Sequence, residues 1–239
     1  MHRPRTNTNT FPLGSLSLYW LANLARSANR PDQNLGQAEV SRSLCRITSA
    51  STGKLMEAFR HIDSCYGRPP DTFIDLGCGR GLVCVSALLD VPELSQVIGV
   101  DINEREIDWA HKNILNSAAA EAIVKYKLSL QVGNAVEFCL DRDAVVVPAL
   151  GVGVWVYAFW KDWGEDRRRV ARHMFLEDSH LWTVFACSDN CKSLFELISD
   201  GDEQLRELLT EAFMYVENVT VSLTGSGERH TIYFYIKKT

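Results

Sequence analysis

Three glycines occupy alternate positions in the stretch DLGCGRG, residues 75–81, between an apolar run and a helix-like run. Glycine adopts positive φ without steric cost and lets another molecule approach the backbone closely. At a turn from strand to helix, such glycines form a cradle for a ligand at the carboxyl edge of a sheet. Asp75 ends the predicted strand below the loop, and its carboxylate would repel a pyrophosphate but attract an ammonium group. The stretch therefore predicts a binding site that favours a cationic, amino-acid-like group.

Two further polar residues follow the next two predicted strands. Asp101 ends the strand QVIGVD, where a carboxylate can accept hydrogen bonds from both hydroxyls of a ribose. Asn134 follows the third strand in the stretch GNA, and its amide can donate to or accept from an adenine edge. A ligand with an amino-acid end, a ribose and an adenine is S-adenosylmethionine. We therefore expect S-adenosylmethionine as the cofactor.

The elements that must position these residues alternate regularly along the chain. Strand patterns cover residues 72–76, 96–101 and 125–133, with helix patterns at 81–90 and 104–116, and the apolar runs at 151–160 and 181–188 predict two further, buried strands. Such alternation predicts a parallel sheet with helices on both faces. Two β-branched and aromatic runs joined by SGE predict a closing antiparallel hairpin. The predicted fold is thus α/β, a Rossmann-like, doubly wound, mostly parallel seven-stranded sheet with a C-terminal antiparallel hairpin and an N-terminal helical extension.

The stretches FIDLGCGRG, VIGVDIN and VGNA, in this order, resemble the class I S-adenosylmethionine-dependent methyltransferases. The resemblance covers roughly residues 72–239 and includes the terminal hairpin. It implies that the loop glycines cradle the methionine part of the cofactor, that Asp101 holds the ribose and that Asn134 lies near the adenine. The cofactor-binding residues it implies are Asp75, Gly77, Cys78, Gly79, Gly81, Asp101, Ile102, Asn134 and Ala135.

The methyl acceptor is predicted from the segment WVYAFW, residues 155–160, at the end of the fourth strand. Members of the family that methylate nucleobase or amide nitrogens have Asn-Pro-Pro-Tyr or Asp-Pro-Pro-Tyr here, and this chain has neither. Flat aromatic faces accommodate the methylene stem and the cationic head of a lysine. Tyr157 and Trp160 are therefore the candidate catalytic residues, with packing in the core as the alternative role for these aromatic side chains.

Two longer stretches, VYAFWKDWGEDRRRVARHMF and VSLTGSGERHTIYFY, resemble the disruptor-of-telomeric-silencing type of histone-lysine methyltransferase. That family uses this fold instead of a SET domain. The resemblance implies methyl transfer to a protein lysine side chain, so a protein substrate is the main prediction. A small-molecule or RNA methyltransferase is the alternative enzyme, and a cofactor-binding pseudoenzyme that serves as a scaffold is the alternative from another class.

Composition limits the partners and the compartment. With a formal net charge of -5, the chain has no global positive field for nucleic acid or anionic membrane, so nucleic-acid contact would need a local patch such as EDRRR at 165–169. The seven scattered cysteines predict a reducing, intracellular compartment, nuclear or cytoplasmic, with a mitochondrial transit segment as the alternative explanation of the basic N-terminus. The sequence predicts no metal site and no membrane span, and it leaves the oligomeric state open.

The predicted domain boundary lies at the first strand. Residues 1–70, with helix-type spacing around 15–27, 37–47 and 52–64, form the predicted N-terminal arm and helical lid. Residues 71–239 form the predicted methyltransferase domain. We expect the stretch SASTG, residues 49–53, to fold over the cofactor, because an open sheet edge would leave the methyl group exposed to water.

Overall fold

A computed structural model describes residues 47–66, 69–115, 126–140, 153–161, 163–177, 179, 182–223 and 228–238. The helices in these ranges are α1 Ser49–Tyr66, α2 Leu82–Asp90, α3 Glu104–Ala110, α4 Ala135–Leu140, α5 Glu165–Arg172, α6 Cys191–Ser199 and α7 Glu203–Ala212. The strands are β1 Pro70–Leu76, β2 Gln96–Asp101, β3 Leu128–Val132, β4 Gly153–Ala158, β5 Val184–Cys187, β6 Phe213–Ser222 and β7 Arg229–Lys237. The helices α3 and α5 continue into π-helical turns, His111–Leu115 and His173–Glu177.

The strands form one sheet in the order β3-β2-β1-β4-β5-β7-β6. The first five strands of this order, β3, β2, β1, β4 and β5, are parallel, whereas β7 is antiparallel to both β5 and β6. The chain reverses its direction of winding at β1, so the topological switch point lies between β1 and β4. The predicted fold class, including the closing antiparallel hairpin, is confirmed.

Both faces of the sheet are covered, which explains why the central strands are continuous apolar runs. Every residue of β4 is buried. Phe73, Trp155 and Phe234 pack on one face against α1, α2 and α3. On the other face, Val156 and Phe185 pack against α4, α5, α6 and α7. The packing of these two apolar layers fixes the positions and directions of the strands. It therefore also fixes the positions of the loops at their carboxyl ends.

Helix α1 shares its core with the sheet. Leu55 and Phe59 are 0% exposed, and the Phe59 ring stacks on Trp155 of β4 with the centroids 5.0 Å apart. The start of α1 is tied to β6, because the Ser222 N–H donates to the Ser51 hydroxyl over 2.8 Å. The lid role and the boundary at residue 70 stay predictions.

The predicted helices around 15–27 and 37–47 lie outside the described residues, except for Ile47, which forms an isolated bridge with Leu223. Among the helices that the structure describes, none combines the length and the apolar character needed to span a membrane.

Candidate functional site

The predicted glycine loop joins β1 to α2 in a conformation that requires glycine. Gly77, Gly79 and Gly81 have φ values of +83°, +54° and +70°, which side chains with a Cβ rarely adopt. The N–H groups of Gly77 and Cys78 donate to the Val100 carbonyl over 2.8 and 3.0 Å. The loop is therefore fastened to the carboxyl end of β2, where the predicted ribose-binding acid lies.

Asp101 closes this arrangement from β2. Its Oδ2 accepts a hydrogen bond from the Gly79 N–H over 2.7 Å, and its Oδ1 accepts one from the Asn103 N–H over 2.8 Å. The carboxylate thus holds the middle of the glycine loop against the end of β2. Ile102, the next residue, is 70% exposed beside it, which leaves an apolar surface next to the acid.

Asn134 and Ala135 lie at the same edge of the sheet, after β3. The Gly133 N–H donates to the Asp101 carbonyl over 3.0 Å, which brings this turn next to the acid. The Asn134 Oδ1 accepts from the Val136 N–H over 2.8 Å at the start of α4. Asn134 is half-buried, and its side-chain oxygen already serves the backbone. The structure therefore brings the predicted cofactor-binding residues of three successive strand ends together.

Asp75 lies beneath the glycine loop with a side chain almost closed to solvent. It is 2% exposed, and the Cys84 thiol of α2 donates to its Oδ2 over 3.7 Å. Burial, assisted by the negative charge of Asp101, raises the pKa of Asp75 to about 8. The carboxyl group is thus mostly protonated at neutral pH, and a cation bound above it would favour the ionised form.

We predict that Asp75→Asn flattens the pH dependence of stability. An aspartate in an unfolded chain has a pKa of about 3.9. Because the folded protein holds this proton more tightly, the contribution of Asp75 to stability is complete below that value and is lost as the pH rises to about 8. Melting temperatures between pH 4 and pH 9 should therefore fall more steeply for the wild type than for the variant. Parallel curves for the two proteins would show that Asp75 does not retain its proton.

The two candidate catalytic residues, Tyr157 and Trp160, lie in the core. Tyr157 pairs with Asp75 in the register of β4 and β1 and is 2% exposed, and its hydroxyl has no hydrogen-bond partner among the described residues. Trp160 is 0% exposed, donates from Nε1 to Asp189 over 2.5 Å and packs on Phe185. Both side chains are closed to solvent, and the surroundings of Trp160 are those expected for the packing alternative, while the catalytic role of the two residues stays a prediction.

A buried ion pair, which the sequence patterns do not reveal, anchors the loop to α3. The Arg80 Nε, in the middle of the glycine loop, donates to Glu106 Oε2 over 3.1 Å, and both side chains are less than a tenth exposed. The Arg80 guanidinium also lies 4.7 Å from the centroid of the Trp109 ring. An arginine inside a glycine-rich loop was a visible signal, but its partner on α3 becomes evident only from the tertiary structure.

The basic cluster of α5 is engaged in ion pairs. Arg167 lies 3.5 Å from Asp189, and Arg169 lies 3.5 Å from Asp166. Arg168 contacts two carboxylates, those of Glu165 at 2.9 Å and Asp200 at 2.7 Å. These ion pairs are typical of a solvent-exposed helix face and are not what is expected of a basic patch that binds phosphate groups.

No protein-family model matches the chain, and no curated protein matches it in sequence. Solved structures do match. A protein of Pyrococcus horikoshii assigned as an RNA methyltransferase is 16% identical with a TM-score of 0.52, covering 93% of this chain and 98% of its own. An O-methyltransferase of Bacillus cereus, in complex with S-adenosylhomocysteine, is 14% identical with a TM-score of 0.50, covering 94% and 91%. TrmN of Thermus thermophilus is 14% identical with a TM-score of 0.50, covering 95% and 79%. The chain therefore shares the Rossmann-like fold of these three structures.

Proposed function

We propose that the protein is an S-adenosylmethionine-dependent methyltransferase. The hydrogen bond from the Gly79 N–H to the Asp101 carboxylate is the observation that carries this proposal. It joins the glycine loop after β1 and the acid after β2 into one preorganised unit at the carboxyl edge of the sheet, next to the switch point between β1 and β4, where ligands of such folds bind. A tight turn alone would require neither three positive-φ glycines nor an acid fixed beside them.

The surrounding residues fit the three parts of this cofactor. The glycines leave backbone accessible for the methionine part, Asp75 lies beneath it, and the Asp101 carboxylate offers acceptor capacity to ribose hydroxyls. The exposed Ile102 supplies an apolar surface for the adenine ring. When bound, the cofactor supplies an electrophilic methyl group, and the chain has to hold an acceptor in line with it and exclude water.

We propose a small molecule as the methyl acceptor, with RNA as the second candidate. The matched structures from Bacillus cereus and Pyrococcus horikoshii are an O-methyltransferase and a protein assigned as an RNA methyltransferase. The ion-paired arginines of α5 and the net charge of -5 favour the small molecule. The lysine interpretation was based on the resemblance of two stretches and on Tyr157 and Trp160. These two residues are buried, and the compared structures lend no support to a histone-lysine methyltransferase.

The test is a transfer assay with methyl-tritiated S-adenosylmethionine and a cell extract. We expect label in the small-molecule fraction with the wild type and much less with Asp101→Ala, which lacks the loop-anchoring carboxylate. Label in RNA would select the second acceptor, and label in protein would restore the lysine interpretation. Cofactor binding with no transfer to any fraction would instead indicate the pseudoenzyme scaffold.

A further inference from the structure

Trp163 lies directly on the glycine loop. A Cβ added to Gly77 would meet three atoms of the Trp163 indole, Cζ2 at 2.6 Å, Cε2 at 3.4 Å and Cη2 at 3.6 Å. The benzene edge of the indole thus fills the space into which a side chain at Gly77 would project. By the resemblance of the loop, this is the space above the part of the loop that would cradle the methionine end of the cofactor.

The backbone of Trp163 is fixed by two hydrogen bonds, whereas its side chain is only partly buried. The Trp163 N–H donates to the Trp160 carbonyl over 3.1 Å, and the Trp163 carbonyl accepts from the Asp166 N–H over 3.2 Å. The indole is edge-on to Trp160 at 6.3 Å, and the residue is only half-buried. Gly164 follows with a φ of +55° and no atom within 4 Å of an added Cβ. A rotation of the indole away from Gly77 would break its contact with Trp160 and its packing on the adjoining apolar layer, and this loss is the cost of opening.

We propose that Trp163 determines which adenosyl ligands enter the site, because its indole covers the methionine part of the glycine loop. This inference depends on the proposed function. A ligand with an amino-acid arm has to move the indole, because both cannot occupy the space beside Gly77. A ligand that ends in a short thioether at the ribose does not reach that space. The cost of opening lowers the affinity for the first kind of ligand only, in proportion to the fraction of molecules that are open.

The predicted consequence is a change in selectivity on Trp163→Ala. Calorimetric titration should show that Trp163→Ala binds S-adenosylhomocysteine at least about threefold more tightly than the wild type does. Binding of 5′-methylthioadenosine, which has the same adenosyl part but no amino-acid arm, should not change. Trp163→Phe, which has a smaller ring and a lower risk of misfolding, should bind S-adenosylhomocysteine with an affinity between those of the wild type and Trp163→Ala. Thermal unfolding without ligand verifies that each variant is folded.

Fluorescence provides a second readout. Binding of S-adenosylhomocysteine should change the emission of the wild type, and Trp163→Phe should abolish most of this change. Trp109→Phe is the matched control, because Trp109 packs on Arg80 of the same loop and not over Gly77. That variant should retain the Trp163 signal.

Three results would overturn the inference. Weaker binding of S-adenosylhomocysteine to Trp163→Ala and Trp163→Phe would mean that the indole holds the ligand. Equal changes for both ligands would mean that Trp163 only supports the loop. If the folded wild type bound neither ligand, the proposed function would fail, and the inference with it.

Discussion

Replacing Trp160 with alanine is expected to cost about 3–5 kcal/mol of unfolding free energy, and to lower the melting temperature and cofactor affinity together. The side chain is 0% exposed and lies between Phe185 and Trp163, with ring centroids 5.5 and 6.3 Å away. Its removal leaves a cavity in the layer beneath α5 and deprives Asp189 of the indole donor. Both effects act on folding before they act on any chemical step.

Denaturant unfolding, cofactor titration and methyl-transfer rate should be measured on one preparation of Trp160→Ala. Tyr126→Ala is the control, because Tyr126 is 88% exposed and its removal leaves no cavity. If Trp160→Ala kept normal stability and normal cofactor affinity but lost turnover, Trp160 would act on the methyl acceptor and not in packing. That result would support the lysine interpretation.

Asp101→Ala is expected to weaken binding of S-adenosylmethionine at least tenfold. The carboxylate accepts from the Gly79 and Asn103 N–H groups over 2.7 and 2.8 Å. The hydrogen bonds that this carboxylate would accept from the ribose hydroxyls contribute about 1.5–3 kcal/mol each, and loss of one is enough for a tenfold change. In addition, the variant frees the middle of the glycine loop, so the cofactor has to order it on binding.

The matched control is Asp108→Ala, which removes the same charge from an exposed position on α3. Calorimetry should show nearly unchanged cofactor affinity for this variant. If both variants bound the cofactor equally weakly, the effect of Asp101→Ala would come from the loss of one negative charge and not from a contact of Asp101 in the site. Unchanged affinity in a folded Asp101→Ala would remove Asp101 from the site.

The glycine loop and Asp101 could be predicted because their signals are local. Positive φ requires glycine, and the carboxyl ends of neighbouring parallel strands share one edge of a sheet. The strand QVIGVD was predicted at residues 96–101, and β2 spans Gln96–Asp101. Topology then places the acid beside the loop without any knowledge of side-chain packing.

Other features depend on tertiary contacts that sequence patterns do not encode. Alternate aromatic residues on β4 fit both a core and a channel, and only the helices packed on the two faces show that Tyr157 and Trp160 are buried. Gly99 gave no signal as a site residue. Yet a Cβ there would lie 2.8 Å from the Cys78 Sγ and 2.6 Å from the Leu130 Cδ2, so this glycine makes room for the loop.

The most direct test of the proposed function is calorimetric titration of the wild-type protein with S-adenosylhomocysteine. We predict saturable binding at one site, much weaker in Asp101→Ala than in Asp108→Ala, because the first variant alone loses the carboxylate that holds the Gly79 N–H. The absence of saturable binding by a protein that unfolds cooperatively on heating would contradict the assignment of this edge of the sheet as a cofactor site.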